Sequence, residues 1–113
     1  MEKFRKISTL SGHGGIVQYR VEDGGYKIQW EKTTYYLGDD MTRQIMTFFD
    51  DGEWHPMGAS QDKPMADGFG AFLKKVFSIS PRYASAIAPI LVNEGILEFR
   101  GKRPIFLRKI VSK

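Results

Sequence analysis

The stretch EFRGKRPIFLRK, residues 98–109, gathers Arg100, Lys102, Arg103, Arg108 and Lys109 around a GKRP turn. Guanidinium and ammonium groups at this density are the footprint of a phosphate-binding surface, since each neutralised phosphate releases condensed counterions. The whole-chain charge of +4 hides this concentration. Residues 1–68 carry 8 Lys plus Arg against 11 Asp plus Glu, a net of −3, whereas residues 69–113 carry 9 against only Glu94 and Glu98, a net of +7. The simpler alternative is that these side chains only solvate a hairpin.

Other chemistry is thinly represented. GHGG at residues 12–15 resembles a phosphate-cradling loop, but the spacing and the Lys-Ser/Thr pair of a P-loop are missing. A flexible turn is the expectation there. His13 and His55 are the two histidines, so a metal site requires both to converge with carboxylates such as Asp50, Asp51 or Glu53. Asp50 and Asp51 before Gly52 read more simply as turn residues. No catalytic residue, cofactor or resident metal is assigned. Tyr19, Tyr26, Trp30, Tyr35, Tyr36 and Trp54 raise a further possibility, a β platform on which single-stranded bases stack. The negative N-terminal half favours sheet packing for most of these rings. Tyr36 is the exception, because it faces the opposite side of its strand from Tyr35.

At 113 residues the chain is expected to form one domain with a modest core, and 42% apolar with 27% charged residues is an ordinary globular composition. With no cysteine, disulfides and thiolate chemistry are excluded. No signal-peptide pattern or stretch of membrane-spanning length is present, so a cytoplasmic location without membrane attachment is expected.

Alternating Val17, Tyr19 and Val21, the turn EDGG, and Tyr26, Ile28 and Trp30 predict a hairpin, with TTYYL at residues 33–37 as a third strand. The stretch TRQIMTFFDDGEWHPM is ambiguous: Met41, Ile45, Phe48 and Phe49 have helical spacing, yet FFDDGEW also reads as strand, turn and strand, and the hairpin is preferred. Residues 59–68 form a connector. Beyond it, Phe69, Phe72, Leu73, Val76 and Phe77 share one face of a short helix, with Asp67 as its expected cap. Ser80 and Pro81 start a second helix, which buries Ala84, Ile87, Ala88 and Leu91 and stops at Gly95. ILEFR and IFLRK flank GKRP as a final hairpin.

Over residues 66–109 this order resembles the winged helix-turn-helix family of DNA-binding domains: FLKKVF, SIS, PRYASAIAPILVNE, GIL and a basic wing follow in turn. The resemblance implies that the helix from Pro81 lies in the major groove with Arg82, Tyr83, Ser85 and Ala86 outward, Arg82 chelating a guanine edge or a phosphate. It further implies that Arg100, Lys102, Arg103 and Arg108 on the wing, with Lys74 and Lys75, hold the phosphate backbone. Four such contacts give a salt slope of about −3.6. Pro89 in mid-helix, an outward face of Ala86, Pro89 and Val92, and the lack of an obvious first helix depart from the pattern.

The expectation is therefore an α+β fold: an N-terminal antiparallel β meander in residues 1–58, packed with a C-terminal helix-turn-helix plus β-hairpin in residues 69–113. The expected function is binding of double-stranded DNA, as a transcriptional regulator and in a two-fold homodimer. The alternative is a protein-interaction or inhibitor module that sets the same hairpin and apolar helix face against an acidic protein partner. A metal-dependent hydrolase or nuclease is a distant third reading.

Overall fold

Period-two alternation of large apolar and polar side chains produces the first layer. A computed structural model of the chain describes residues 3–12, 15–59, 67–102 and 104–110. Strands β1 (Arg5–Ser8), β2 (Ile16–Glu22), β3 (Gly25–Trp30) and β4 (Thr33–Gly38) form an antiparallel sheet in the order β1-β2-β3-β4. Val17, Tyr19, Ile28, Trp30 and Leu37 are buried on one face. The β2–β3 turn places Gly25 at φ 153°, where an added Cβ would run into the Leu37 carbonyl, so only glycine fits. The predicted hairpin and third strand are present; β1, with Ile7 as its one apolar residue, extends them to four strands.

The hairpin expected within TRQIMTFFDDGEWHPM, residues 42–57, is not formed. Residues Asp39–Phe48 are a helix, α1, with Asp39 and Asp40 in the first turn, where carboxylates complement the free amides. Helical spacing prevails because it sends Ile45 into the core and brings Phe48 and Phe49 together against α2 (Phe69–Phe77). The ring centroids of Phe48 and Phe72 are 4.7 Å apart, and those of Phe49 and Phe69 are 5.3 Å apart. A tight turn at Gly52 then leads to β5 (His55–Pro56).

Helix α2 buries Phe69 and Leu73 and half-buries Phe72 and Phe77 of the predicted apolar face, whereas Val76 is exposed; its cap is Gly68 rather than Asp67, with no side-chain cap bond, and Asp67 is an exposed turn residue. Ser78 closes α2 in the left-handed conformation, and Ser80 accepts a hydrogen bond from the Arg82 amide at 3.3 Å. Pro81–Tyr83 form a single 3-10 turn, followed by α3 (Ala84–Asn93). The helix runs on through Pro89, which leaves the Ser85 carbonyl without its helical amide, and Gly95 ends it at φ 77°. Strands β6 (Leu97–Arg100) and β7 (Phe106–Lys109) make the final hairpin, and β5 adds to the free edge of β7, giving a second sheet in the order β5-β7-β6. The molecule is thus α+β, with a four-strand meander, a small second sheet and three helices.

The two layers meet at α3. Ala84, Ala86, Ile87, Ala88, Pro89, Ile90 and Leu91 are all buried, and α3 contacts β1 and β2 of the meander as well as α2 and β6. The Tyr19 hydroxyl, fully buried, donates to Glu94 Oε2 at 2.6 Å and accepts from Asn93 Nδ2 at 2.7 Å, and Arg5 closes on the same Glu94 oxygen at 2.6 Å. Burial raises the pKa of Tyr19 above its ordinary 10.0, reinforced by the Glu94 carboxylate, and burial likewise raises Tyr26 and Tyr35. Because the folded state holds these phenolic protons more tightly than the unfolded chain, their contribution to stability is complete below about pH 10 and is lost as pH rises through the folded values. Urea midpoints should therefore fall steeply above about pH 10, and Tyr19→Phe should flatten that fall; equal slopes for parent and variant would count against this account.

Candidate nucleic-acid interface

The second sheet assembles the densest group of cations and rings. Pairing of Glu98 with Arg108 and of Arg100 with Phe106 places Arg100 and Arg108 on the same face, opposite to buried Leu97 and Leu107. Pairing of His55 with Leu107 continues the register to Trp54 beside Arg108. Both guanidinium carbons lie over the Trp54 ring, Arg100 at 4.2 Å and Arg108 at 4.3 Å from its centroid. Each contact contributes about 0.5–1 kcal/mol at an exposed site.

The charges on this face do not balance. Glu98 meets Arg108 at 3.1 Å, but Arg100 and Lys102 are exposed and have no carboxylate partner among the described residues. Arg108 Nε is buried without a hydrogen-bond acceptor. Lys109, at the strand end, is paired with Asp50 at 3.3 Å. An oxyanion placed over Arg100 and Lys102 would offset the excess charge, and phosphate suits a guanidinium fork in particular.

The other sequence-predicted residues are distributed differently. Lys74 and Lys75 are exposed on α2, and Lys74 borders an open cleft of about 440 Å³ at the α2–α3 turn, with Ser78, Ile79, Ser80 and Pro81. Arg82 is exposed but engaged: it donates to Glu31 Oε1 at 2.7 Å and lies 5.4 Å from the Trp30 ring centroid. Tyr83 is half-buried between Trp30, at 6.1 Å, and Tyr35, at 5.3 Å, and Ser85 is half-buried. Ala86, expected to face outward, is fully buried. The turn from Pro81 therefore presents its side chains to the chain's own sheet. Arg103 lies outside the described residues.

Comparison with protein-family models, with curated proteins and with solved structures gives no match.

The histidine chemistry considered from the sequence is reduced to one pair. His55 Nε2 lies 3.0 Å from both Asp51 carboxylate oxygens and its ring meets that of Phe48 at a tilt of 43°, with centroids 4.6 Å apart. Asp51 also accepts the Glu53 amide at 2.9 Å; that bond first, and His55 second, lower its pKa below the ordinary carboxylate value. His13 lies outside the described residues, and no group of three or more potential metal ligands occurs among the described ones. No helix among them is long and apolar enough to cross a membrane. Trp54 belongs with the hairpin arginines rather than with the meander aromatics, a relation set by the two-residue β5 pairing.

Proposed function

We propose that α1, α2, α3 and the β5-β7-β6 sheet form a winged helix and that the chain binds the phosphate backbone of double-stranded DNA through that sheet. The observation that carries this reading is the pair of guanidiniums on Trp54, of which, among the described residues, Arg108 is paired with Glu98 and Arg100 has no carboxylate partner, with Lys102 exposed two residues beyond Arg100. Helix α1 supports it by supplying a first helix ahead of α2 and α3, and Lys74 and Lys75 provide further cations on α2. Base reading in the major groove by α3 forms no part of the proposal, because an enclosed helix offers no base-reading edge. Contacts to phosphate fix position and carry little sequence information, so weak sequence preference is expected.

A salt series with mixed-sequence duplex DNA tests the reading. If Arg100, Lys102 and Arg108 neutralise about three phosphates, log K falls against log salt with a slope of about −2.7, and a variant carrying R100A and K102A retains about −0.9. Absence of duplex binding at low salt, or an unchanged slope in the variant, would remove the proposal.

The enclosure of α3 favours a second reading, in which the helix-turn-helix is a structural core and the hairpin face docks on an acidic protein. Competition of duplex DNA against an acidic polypeptide at the same face separates the two.

A further inference from the structure

We propose that the outward face of the four-stranded sheet is a second site, one that binds single-stranded nucleic acid. The strand register lays Phe4, Arg20, Lys27 and Tyr36 in one row across the sheet: Arg20 pairs with Lys27, Lys27 with Tyr36, and the Arg20 guanidinium lies 4.8 Å from the Phe4 ring centroid. Adjacent strands are about 4.8 Å apart, so the backbone positions of Phe4 and Tyr36 are roughly 14 Å from one another, with Arg20 and Lys27 on the strands between. The next row on the same face is Lys6, Gln18, Gln29 and Thr34. Tyr36 is 45% exposed, whereas Tyr19, Tyr26, Trp30 and Tyr35 turn inward.

The net negative charge of the N-terminal half reaches this face at Glu22 and at its Tyr36 end, where Asp39 Oδ2 and the Tyr36 hydroxyl both flank Gly24. Asp23 sits in the β2–β3 turn, Glu31 is paired with Arg82, and Asp39, Asp40, Asp50, Asp51 and Glu53 belong to α1 and the segment after it. Among the described residues Glu22 is the one carboxylate on the strands of this face, and it is ion-paired with Arg20. Lys6 and Lys27 have no carboxylate partner among the described residues.

Rings at both ends of a cationic row fit a polyanion that also carries exposed π faces. A single strand meets that description, and a duplex does not, because its bases are already stacked. Lys6 and Lys27 would neutralise phosphates, Phe4 and Tyr36 would stack bases, and the two glutamine amides would reach base edges or sugar hydroxyls.

The test is fluorescence anisotropy with short labelled oligothymidylate and oligouridylate at low salt. About two phosphate contacts on a single strand give a salt slope of about −1.4. Y36A should weaken binding by about tenfold through lost stacking, and a K6A and K27A double variant should bring the salt slope close to zero. That double variant touches no interior contact, so it keeps the test open should Y36A loosen the β2–β3 turn, where the Tyr36 hydroxyl donates to the Asp23 carbonyl at 2.7 Å. The R100A and K102A variant, altered only at the duplex site, should bind the single strands as the parent does. Oligothymidylate and oligouridylate affinities identify whether DNA or RNA is preferred, and tight binding of either one supports the site. No binding at low salt, equal displacement by polyglutamate, or a loss confined to the R100A and K102A variant would each overturn it. A failed duplex experiment leaves this site standing.

Discussion

Replacing Tyr19 with alanine is expected to cost about 3–5 kcal/mol of folding stability, the range for emptying a buried aromatic position. The ring is fully buried and meets Tyr26 edge-on with centroids 6.0 Å apart. Its hydroxyl adds a polar loss, because Glu94 and Asn93 would both be left without the group that joins them. Tyr19→Phe isolates that part: it keeps the packing and removes both the bond donated to Glu94 and the one accepted from Asn93, the first of which, to a carboxylate, is alone expected to be worth about 1.5–3 kcal/mol. The two variants together also report on the architecture, since Tyr19 belongs to the meander and Glu94 follows α3. In urea titrations the alanine variant should lower the midpoint by far more than the phenylalanine variant. Equal midpoints for alanine and parent would mean that the meander does not pack on α3.

The sequence disclosed most where local chemistry and burial agree. Val17, Tyr19, Ile28 and Trp30 alternate with polar residues around a turn that requires glycine, so the hairpin could be read directly. Ser80 followed by Pro81 marked the start of the second helix for the same kind of reason, although a 3-10 turn precedes α3 proper.

Where partners are distant in sequence, local reading failed. Phe48 and Phe49 followed by Asp50, Asp51 and Gly52 suit a hairpin as well as a helix end, and Phe69 and Phe72, about twenty residues on, decide between them. Strand β1 offers little apolar pattern and is held by the edge of β2. The enclosure of α3 did leave a trace, since the apolar positions Ala86 and Pro89 are unsuited to reading bases, and both are buried in the fold. The candidate site was half legible: Arg100 and Lys102 stand out in a basic run, but Trp54 joins them only through β5.

Gly70→Ala is expected to destabilise the protein by about 3 kcal/mol or more, the upper part of the range for overfilled interiors. Its sign is the informative feature. At an open position in a helix the same change gains about 1 kcal/mol, because alanine is the better helix former. Gly70 is the second residue of α2, and its amide donates to the Met57 carbonyl at 2.9 Å, which draws the chain just after β5 against the helix. A Cβ there would overlap the Gly58 carbonyl and lie 3.0 Å from Pro81 Cβ, so relief requires moving backbone rather than turning a side chain. The residues that would have to yield connect β5 to α2 and α2 to the turn before α3. Strain at this point therefore reaches the pairing that holds Trp54 beside Arg108. Thermal unfolding should show the loss, and tryptophan fluorescence of the folded variant should shift as the Trp54 environment opens. A variant as stable as the parent would mean that the Met57–Gly58 segment yields freely, and that the position of β5 does not depend on its contact with α2.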